Sequence, residues 1–230
     1  EISACLVGSE MCIRDSIMSV KIISVAKQLP KYVKKTKEII PFVKQWIQGQ
    51  ESRFQRKVLK LFEAAGVDRR YSIMDAEEVF MNSSFEEKND IYVNEVTLLA
   101  EQSLLKSLKK AGLKPADIDY IVTVSCTGIM IPSVDAYLIN NLEMKHDVVR
   151  LPVTEMGCVA GISGIIYAKN FLKSNPNKRA AVISVEAPTA TFQIEDYSMA
   201  NVVSAAIFGD GSASVILSSC KEDQGPKIID

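Results

Sequence analysis

Hydrophobic positions along the chain alternate between strand-like and helix-like spacing. Short apolar runs predict strands over 20–26, 119–125, 148–153 and 179–185, and longer amphipathic runs predict helices over 34–46, 52–65, 90–111, 132–142 and 162–172. The helix over 90–111 has the most regular pattern, because its apolar residues recur at helical spacing until Gly112. Strands that alternate with helices indicate a layered α/β domain with a mostly parallel sheet.

Two further segments have a less regular pattern. Residues 68–89 are polar, and we expect no regular element there. Residues 202–208 and 212–218 flank Asp210-Gly211, a dipeptide that is typical of tight β-hairpins. We therefore expect an antiparallel hairpin at this point and assign Asp210 to its turn rather than to catalysis.

The start of the chain differs from the rest. Residues 1–17 carry two cysteines and mixed charge, and they lack the basic start and apolar centre of a signal peptide. We interpret 1–17 as a non-native leader and expect one domain over 18–230. An apolar run that begins at 227–230 indicates that this domain is cut short before a further strand.

Composition narrows the classes of function. The chain is 47% hydrophobic and 24% charged, with a net charge of −1, which is typical of a globular protein. This charge argues against a broad nucleic-acid-binding surface, and no apolar run is long enough to cross a membrane. Five cysteines without Cys-x-x-Cys or Cys/His spacing indicate neither a disulfide framework nor a metal site. We infer a cytoplasmic protein without nucleic-acid or membrane partners.

Cys158 is the strongest candidate for chemistry. It lies between the predicted strand 148–153 and the predicted helix 162–172, so the local order is strand, tight turn, helix. A thiol at the start of a helix faces unpaired N–H groups and the positive end of the helix dipole, which both favour the thiolate. Flanking Gly157 and Gly161 leave room for an acyl group. The pattern fits an acyl-accepting nucleophile, and a buried structural cysteine is the alternative.

Three other motifs accompany the Gly157-Cys158 motif in a fixed order. They are Cys126-Thr-Gly128 followed by Pro132, Glu186-Ala-Pro-Thr-Ala-Thr-Phe192, and Phe208-Gly-Asp-Gly211. Together the four motifs resemble the amino-terminal half of type III polyketide synthases, the chalcone and stilbene synthase family. The resemblance covers 20–218. It implies a thiolase-like fold, in which two similar α/β halves form a five-layer αβαβα body, usually within a homodimer, and this chain corresponds to the first half.

The resemblance also implies a reaction. In the family, the cysteine that matches Cys158 takes an acyl group from a CoA thioester and condenses it with units formed from malonyl-CoA by decarboxylation. Acyl-CoA and malonyl-CoA would then be substrates, with no permanently bound cofactor. The enolate needs fixed hydrogen-bond donors, which the family supplies from a His and an Asn in its second half. His146, the only histidine of this chain, does not match that position, so we expect it on the surface. We expect no condensation by residues 1–230 alone.

Further site residues follow from the resemblance alone. The CoA phosphates would contact three basic residues at positions i, i+3 and i+7 of one helix, namely Arg53, Arg56 and Lys60. The alternative is that these residues form a solvated charged face. Three residues would line the acyl cavity: Thr127, Pro188 and Thr191. Phe208 would lie at the cavity mouth, and the alternative interpretation is an aromatic residue in the core of the predicted hairpin. Ile131-Pro132 matches the place where the family reaches across its dimer, and its peptide bond is a candidate for the cis form.

Other functions stay open at this stage. A ketoacyl synthase III or a hydroxymethylglutaryl-CoA synthase also uses an acyl-cysteine on this fold. A third hypothesis is that the chain is a catalytically silent fragment in which the cysteine is structural. Pro188 and Cys126 differ from the residues frequent in plant members of the family, so a chalcone product is not implied. The sequence names neither the starter, nor the number of extensions, nor the mode of cyclisation.

Overall fold

The computed structural model describes residues 19–81 and 83–229, so the interpretation of 1–17 as a leader lies outside the described residues. The strands are β1 (Lys21–Gln28), β2 (Tyr32–Lys35), β3 (Arg69–Ser72), β4 (Tyr120–Val124), β5 (Val149–Val153), β6 (Arg179–Glu186) and β7 (Gly211–Ser218). The helices are α1 (Thr36–Trp46), α2 (Ser52–Ala64), α3 (Ala76–Val79), α4 (Phe85–Ala111), α5 (Val134–Asn141), α6 (Ala160–Ser174) and α7 (Met199–Ile207). Three 3₁₀ turns connect them: Pro115–Asp117, Gly157–Val159 and Pro188–Thr191.

Five of the strands form one mixed sheet in the order β1-β7-β6-β4-β5. Strand β4 pairs in parallel with β5 and with β6, whereas β7 pairs antiparallel with both β1 and β6. Four of these five strands therefore run in the same direction and β7 runs against them. Because two of the four pairings are antiparallel, the prediction of a mostly parallel sheet is confirmed only in part. Strands β2 and β3 form a separate antiparallel ribbon.

The predicted hairpin at Asp210-Gly211 is wrong. Residues 202–208 belong to α7 and its cap, and β7 pairs with β6 from Glu186↔Gly211 to Arg179↔Ser218. The helix is favoured locally because the Ser198 side chain accepts the N–H of Asn201, which caps its first turn. Val202 and Ala206, one helical turn apart, are both buried. A short apolar run fits either period, and tertiary packing decided between them.

The polar segment 68–89 is more regular than predicted. It contains β3 and α3, and helix α4 begins at Phe85 rather than at Asp90. A capping box starts α4, because the Ser84 side chain accepts the N–H of Glu87 while the Glu87 carboxylate accepts the N–H of Ser84. Gly112 ends α4 in the left-handed conformation, as predicted.

Helices cover both faces of the sheet. Leu99, Leu104 and Leu108 of α4 pack with α5 on the face that carries Ile121, Ile183 and Ile216. Ala168 and Leu172 of α6 pack on the face that carries Val122, Val182 and Leu217. A third cluster joins α1, α2 and α7 around Trp46, Phe62 and Phe192. The result is an α-β-α layering with an additional helical cluster beside it.

Candidate active site

The candidate nucleophile Cys158 lies at one edge of the sheet, together with two other polar residues. Strands β4, β5 and β6 are parallel neighbours, so their carboxyl ends meet there. Cys126 follows β4, Cys158 follows β5, and Glu186 is the last residue of β6. Ligands of open α/β sheets bind outside the carboxyl ends of the strands, so this edge is the expected place for a site.

Cys158 has the local structure that the sequence predicts. It lies in the 3₁₀ turn Gly157–Val159, which continues directly into α6. Gly157 has φ of +63°, a left-handed conformation that glycine adopts without steric cost. Cys158 is exposed, which does not fit a cysteine that fills a gap in the core. The thiol is therefore accessible at the start of a long helix.

Gly164 allows α6 to lie close to the sheet. A Cβ at this position would lie 3.0 Å from Cγ1 of Val182 and 3.4 Å from Cγ1 of Val122. These valines belong to β6 and β4, so the contact fixes the distance between the Cys158 helix and the two central strands.

Cys126 is a second thiol at the same edge. Its N–H donates to both carboxylate oxygens of Glu186, each at 3.1 Å. Burial raises the pKa of the Cys126 thiol, and the negative charge of Glu186 and a hydrogen bond to it raise that pKa further. Cys158 acts on the pKa of Cys126 in the same direction.

Thr127 joins the ends of β4 and β6. Its hydroxyl donates to Oε2 of Glu186 at 2.7 Å and accepts the N–H of Ala187 at 2.8 Å. Glu186 is therefore the polar centre of this edge, although sequence reasoning gave it no role. The available signal was a carboxylate at the carboxyl end of an otherwise apolar strand.

Tyr92 reaches the same edge from helix α4. Its hydroxyl oxygen lies 2.6 Å from Oγ of Ser125, the residue before Cys126. Burial raises the pKa of Tyr92, so this phenol stays protonated. Sequence reasoning missed Tyr92, because its place among apolar residues of a helix is also what core packing would give.

A cavity of about 90 Å³ lies next to the 3₁₀ turn Pro188–Thr191, which follows β6. Three predicted site residues line it, namely Pro188, Thr191 and Phe208. Thr127 and Cys158 are not among the residues that line it, so the structure separates the predicted set into the sheet edge and the cavity. The prediction that Phe208 ends a strand is wrong, because Phe208 caps the carboxyl end of α7. Phe208 is 42% exposed.

Asp210 is more than a turn residue. Its carboxylate accepts the N–H of Ile73 at 2.8 Å, the N–H of Thr189 at 3.1 Å and the hydroxyl of Thr189. Burial raises the pKa of Asp210 to about 6, although these hydrogen bonds favour the ionised form. Asp210 thereby connects the segment after β3 to the 3₁₀ turn that lines the cavity. The motif Gly-Asp-Gly carries no signal for this role.

The remaining predicted residues lie on the surface. Arg53, Arg56 and Lys60 occupy the exposed face of α2, while Val58 and Phe62 of the same helix are buried. Phe62 also lines the cavity, but contact of the three cations with CoA stays a prediction. His146 is exposed between α5 and β5, which confirms its surface position.

Residues 19–81 and 83–229 contain neither a metal-binding cluster nor a helix that could span a membrane. No cluster of three or more His, Cys, Asp or Glu residues has the arrangement of a metal site. None of the helices in this part of the chain combines the length and apolarity that a membrane crossing needs.

Residues 13–220 match the family model "Chalcone and stilbene synthases, N-terminal domain". The chain belongs to the chalcone and stilbene synthase family. It is 38% identical over 157 residues to 1,3,6,8-tetrahydroxynaphthalene synthase of Streptomyces peucetius subsp. caesius, covering 68% of this chain and 41% of that protein. It is 30% identical over 162 residues to phloroglucinol synthase of Pseudomonas fluorescens, covering 70% and 46%.

Solved structures support the same family assignment. The crystal structure of 1,3,6,8-tetrahydroxynaphthalene synthase from Streptomyces coelicolor A3(2), a bacterial type III polyketide synthase, superposes with a TM-score of 0.83 at 26% identity. The match covers 89% of this chain and 58% of that one. The thiolase-like fold is thereby confirmed. The chain spans about half the length of the curated relatives it matches.

Proposed function

We propose that this chain supplies the acyl-accepting half of a type III polyketide synthase, an acyltransferase that acts on CoA thioesters. The observation that carries the proposal is the exposed Cys158 thiol, placed between β5 and α6 at the carboxyl edge of the parallel strands. Family membership supports it, because the named relatives are synthases of polyketide products.

The proposed reaction has two steps. The Cys158 thiolate attacks the thioester carbonyl of an acyl-CoA starter, CoA leaves as its thiolate, and the enzyme holds an acyl-cysteine. Decarboxylation of a malonyl unit then releases CO₂ and leaves an enolate, whose carbon attacks the acyl-cysteine carbonyl and expels the Cys158 thiolate. A thioester suits both steps, because it accepts nucleophiles readily and keeps the acyl group activated. We propose no permanently bound cofactor.

The apolar cavity supports a binding place for the acyl group. Pro188, Thr191 and Phe208 line it, and the residues before Pro188 continue directly from Glu186 at the sheet edge. An apolar pocket with a few polar groups is the usual form of a small-molecule site. Thr127 supports the cavity indirectly, through its hydrogen bonds to Glu186 and Ala187.

Mass spectrometry tests the nucleophile directly. The full-length protein that carries this chain is incubated with a panel of acyl-CoA starters, and the peptide containing Cys158 is examined for an acyl adduct. We expect the adduct in the wild type and in Cys126→Ala, and its loss in Cys158→Ala with the fold retained by circular dichroism. An unmodified Cys158 with every starter would overturn the proposal.

We further propose that residues 1–230 alone do not catalyse condensation. The only histidine, His146, is exposed between α5 and β5, away from the carboxyl edge of the sheet, and offers no donor for an enolate there. The test compares this chain with the full-length protein in a malonyl-CoA decarboxylation assay. Turnover by residues 1–230 would contradict the proposal.

We propose that CoA phosphates bind the exposed face of α2. Arg53, Arg56 and Lys60 lie on that face, and guanidinium and ammonium groups bind phosphate well. Substitution of each by Ala should raise the KM for an acyl-CoA but not for the matching acyl N-acetylcysteamine thioester, which has no phosphates. Lys109→Ala, which removes an exposed lysine from α4, is the matched control. Equal KM changes for both thioesters would argue against phosphate contact.

We propose that a second copy of the chain covers an apolar surface near Cys158. Ile129 and Ile131 follow β4 and are 62% and 91% exposed, and Val159 and Ile162 follow the adjacent β5 and are 57% and 62% exposed. Exposed apolar residues at this density mark an interface. Ile131 and Pro132 match the segment where the family reaches across its dimer, and, independently of this proposal, the peptide bond between them is cis. Light scattering of the wild type and of Ile162→Glu tests this, and a monodisperse wild-type monomer would contradict it.

We also propose a cytoplasmic location. Cys126, Cys158 and Cys220 are free thiols in the described ranges, and the proposed reaction requires a reduced Cys158. Fractionation of the source cells with an antibody to this chain tests the proposal, and recovery of the protein outside the cytoplasm would contradict it.

A further inference from the structure

Lys88 is a buried lysine beneath the turn that lines the cavity. Its side chain lies near the start of α4 and is 2% exposed. Nζ donates to the carbonyl oxygen of Phe192 at 2.7 Å and lies 5.7 Å from the centroid of the Phe192 ring. Burial lowers the pKa of Lys88, and no carboxylate of residues 19–81 and 83–229 forms an ion pair with it.

A lysine in this position needs a physical reason. Removal of an ammonium from water is costly without a counter-ion, and an apolar side chain would fill the same space at lower cost. What a lysine adds is a charge-assisted hydrogen bond to the Phe192 carbonyl, which is stronger than a bond between neutral groups.

Phe192 is the last residue of the cavity segment 188–192, and its side chain is held by packing. Its ring packs against Trp46 and Phe80 with centroid distances of 4.9 Å and 5.2 Å, and it is 5% exposed. Thr191, which precedes it, lines the cavity. At the other end of the segment, Thr189 is bound by Asp210. The segment is therefore held at both ends by a buried ionisable group.

The start of α4 contacts two further loops of the site. The Asn89 side chain accepts the N–H of Ile129 and donates to the Ile129 carbonyl, both at 2.9 Å. The Tyr92 hydroxyl lies 2.6 Å from that of Ser125. Lys88, Asn89 and Tyr92 of α4 therefore each form a hydrogen bond with a different segment around the site.

We propose that Lys88 is a positioning residue that fixes the backbone of Thr191 and Phe192 and thereby determines which acyl groups the cavity accepts. This inference rests on the proposed function, because it assumes that the cavity receives the acyl group. Lys88 does not itself line the cavity. Its loss should change starter selectivity and leave the chemistry of the Cys158 thiol unchanged.

Hydrogen–deuterium exchange of the full-length protein is the first test, and it does not depend on activity. Lys88→Met keeps the length of the side chain and removes the donor. We expect peptides that span 188–194 to exchange about tenfold faster in Lys88→Met, as the loss of one hydrogen bond to a charged donor implies. Lys88→Arg should restore protection. Lys110→Met is the matched control, since Lys110 of the same helix donates to the Val25 carbonyl at 2.9 Å from an exposed position.

Kinetics give the second readout. In Lys88→Met we expect the KM for a bulky starter to rise about tenfold, the ratio of kcat/KM between a bulky and a small starter to change, and the alkylation rate of Cys158 by iodoacetamide to stay within twofold. Should Lys88→Met fail to fold, Lys88→Gln retains a neutral donor and is expected to show the same changes to a smaller degree.

The outcomes separate the two proposals. Absence of an acyl-Cys158 adduct in the wild type would overturn the proposed function, while faster exchange at 188–194 would still show that Lys88 positions the segment. Unchanged exchange at 188–194 would overturn the role of Lys88 whatever the enzyme does. A uniform fall in kcat for all starters, without a change in selectivity, would overturn its role in specificity.

Discussion

The ring of Tyr92 occupies the space in which a side chain of residue 128 would lie. A Cβ built on Gly128 would lie 2.3 Å from Cδ1 and 2.4 Å from Cε1 of Tyr92. Gly128 follows Cys126 and Thr127, so the absence of a side chain allows helix α4 to pack against the loop that carries both residues. The Tyr92 ring is itself 1% exposed and cannot move aside easily.

Gly128→Ala is therefore expected to destabilise the protein and to disturb the sheet edge. Overpacking of this kind costs about 1–3 kcal/mol in the free energy of unfolding. The measurement is denaturant unfolding, combined with acyl-adduct formation at Cys158. Gly161→Ala is the control for the unfolding measurement alone, because nothing lies within 4 Å of a Cβ there and alanine favours the helix. If both variants unfold at the same denaturant concentration, the packing argument fails.

The Cys126 thiol is expected to titrate above the ordinary range for cysteine, which is about 8.5. Burial and the charge of Glu186 raise its pKa, so less thiolate is present at a given pH. The rate of Cys126 alkylation by iodoacetamide, followed by peptide mass spectrometry from pH 6 to pH 10, should rise late. Glu186→Gln removes the charge and should move the midpoint to lower pH, whereas Glu155→Gln should not. An unchanged midpoint in Glu186→Gln would contradict the assignment.

Deprotonation of Asp210 is expected to lower the free energy of unfolding as the pH rises from about 4 to about 6. Its pKa is raised from 3.8 to about 6 in the folded protein, so in this interval the folded protein binds more protons at Asp210 than the unfolded chain does. The free energy of unfolding should fall with rising pH, by an amount on the order of 1–3 kcal/mol, and level off above about pH 6.

Denaturant unfolding at several pH values checks this expectation. Asp210→Asn should lose this part of the pH dependence, although it also loses hydrogen-bond acceptors and is expected to be less stable at low pH. Asp90→Asn, which removes an exposed carboxylate, is the control. A pH profile of Asp210→Asn that runs parallel to the wild type would rule out Asp210 as the source.

The contact between α4 and the sheet depends on buried hydroxyls. Oγ of Ser107 lies 2.8 Å from Oγ of Ser214, and Ser103 and Ser212 form a second pair at 2.8 Å. Ser214→Ala is expected to cost about 1–3 kcal/mol of unfolding free energy, because it leaves buried polar groups without their partner. Ser52→Ala, at an exposed position in α2, is the control in the same denaturant experiment. Equal midpoints for the two variants would show that the hydroxyl pairs contribute nothing.

Much of the fold could be predicted from the sequence. Strands β4 and β6 are nearly continuous apolar runs, and α4 has helical spacing over several turns, so local pattern and tertiary burial agree there. The apolar run 202–208 fits strand and helix alike, and its pattern of residues does not distinguish between them. The start of α4 was missed because its capping box consists of polar residues, which also occur in loops.

The candidate site divides in the same way. Cys158 could be singled out as a candidate because a glycine-flanked cysteine between a strand and a helix is a local pattern. The family resemblance singled out Pro188, Thr191 and Phe208, which line the cavity in the structure. Glu186, Tyr92 and Lys88 could not be assigned, because their roles come from partners distant along the chain, such as the contact of Lys88 with Phe192.

The sequence by itself determined the order of strands and helices, the position of the thiol at a helix start and the family to which the chain belongs. Each of these depends on neighbouring residues or on ordered motifs. Only the tertiary structure decided that β7 runs against the other strands of the main sheet, that Asp210 is buried, and that α4 contacts the loops around Cys126 and Phe192. These features depend on which surfaces meet, and the burial of apolar area selects that meeting over the whole chain at once.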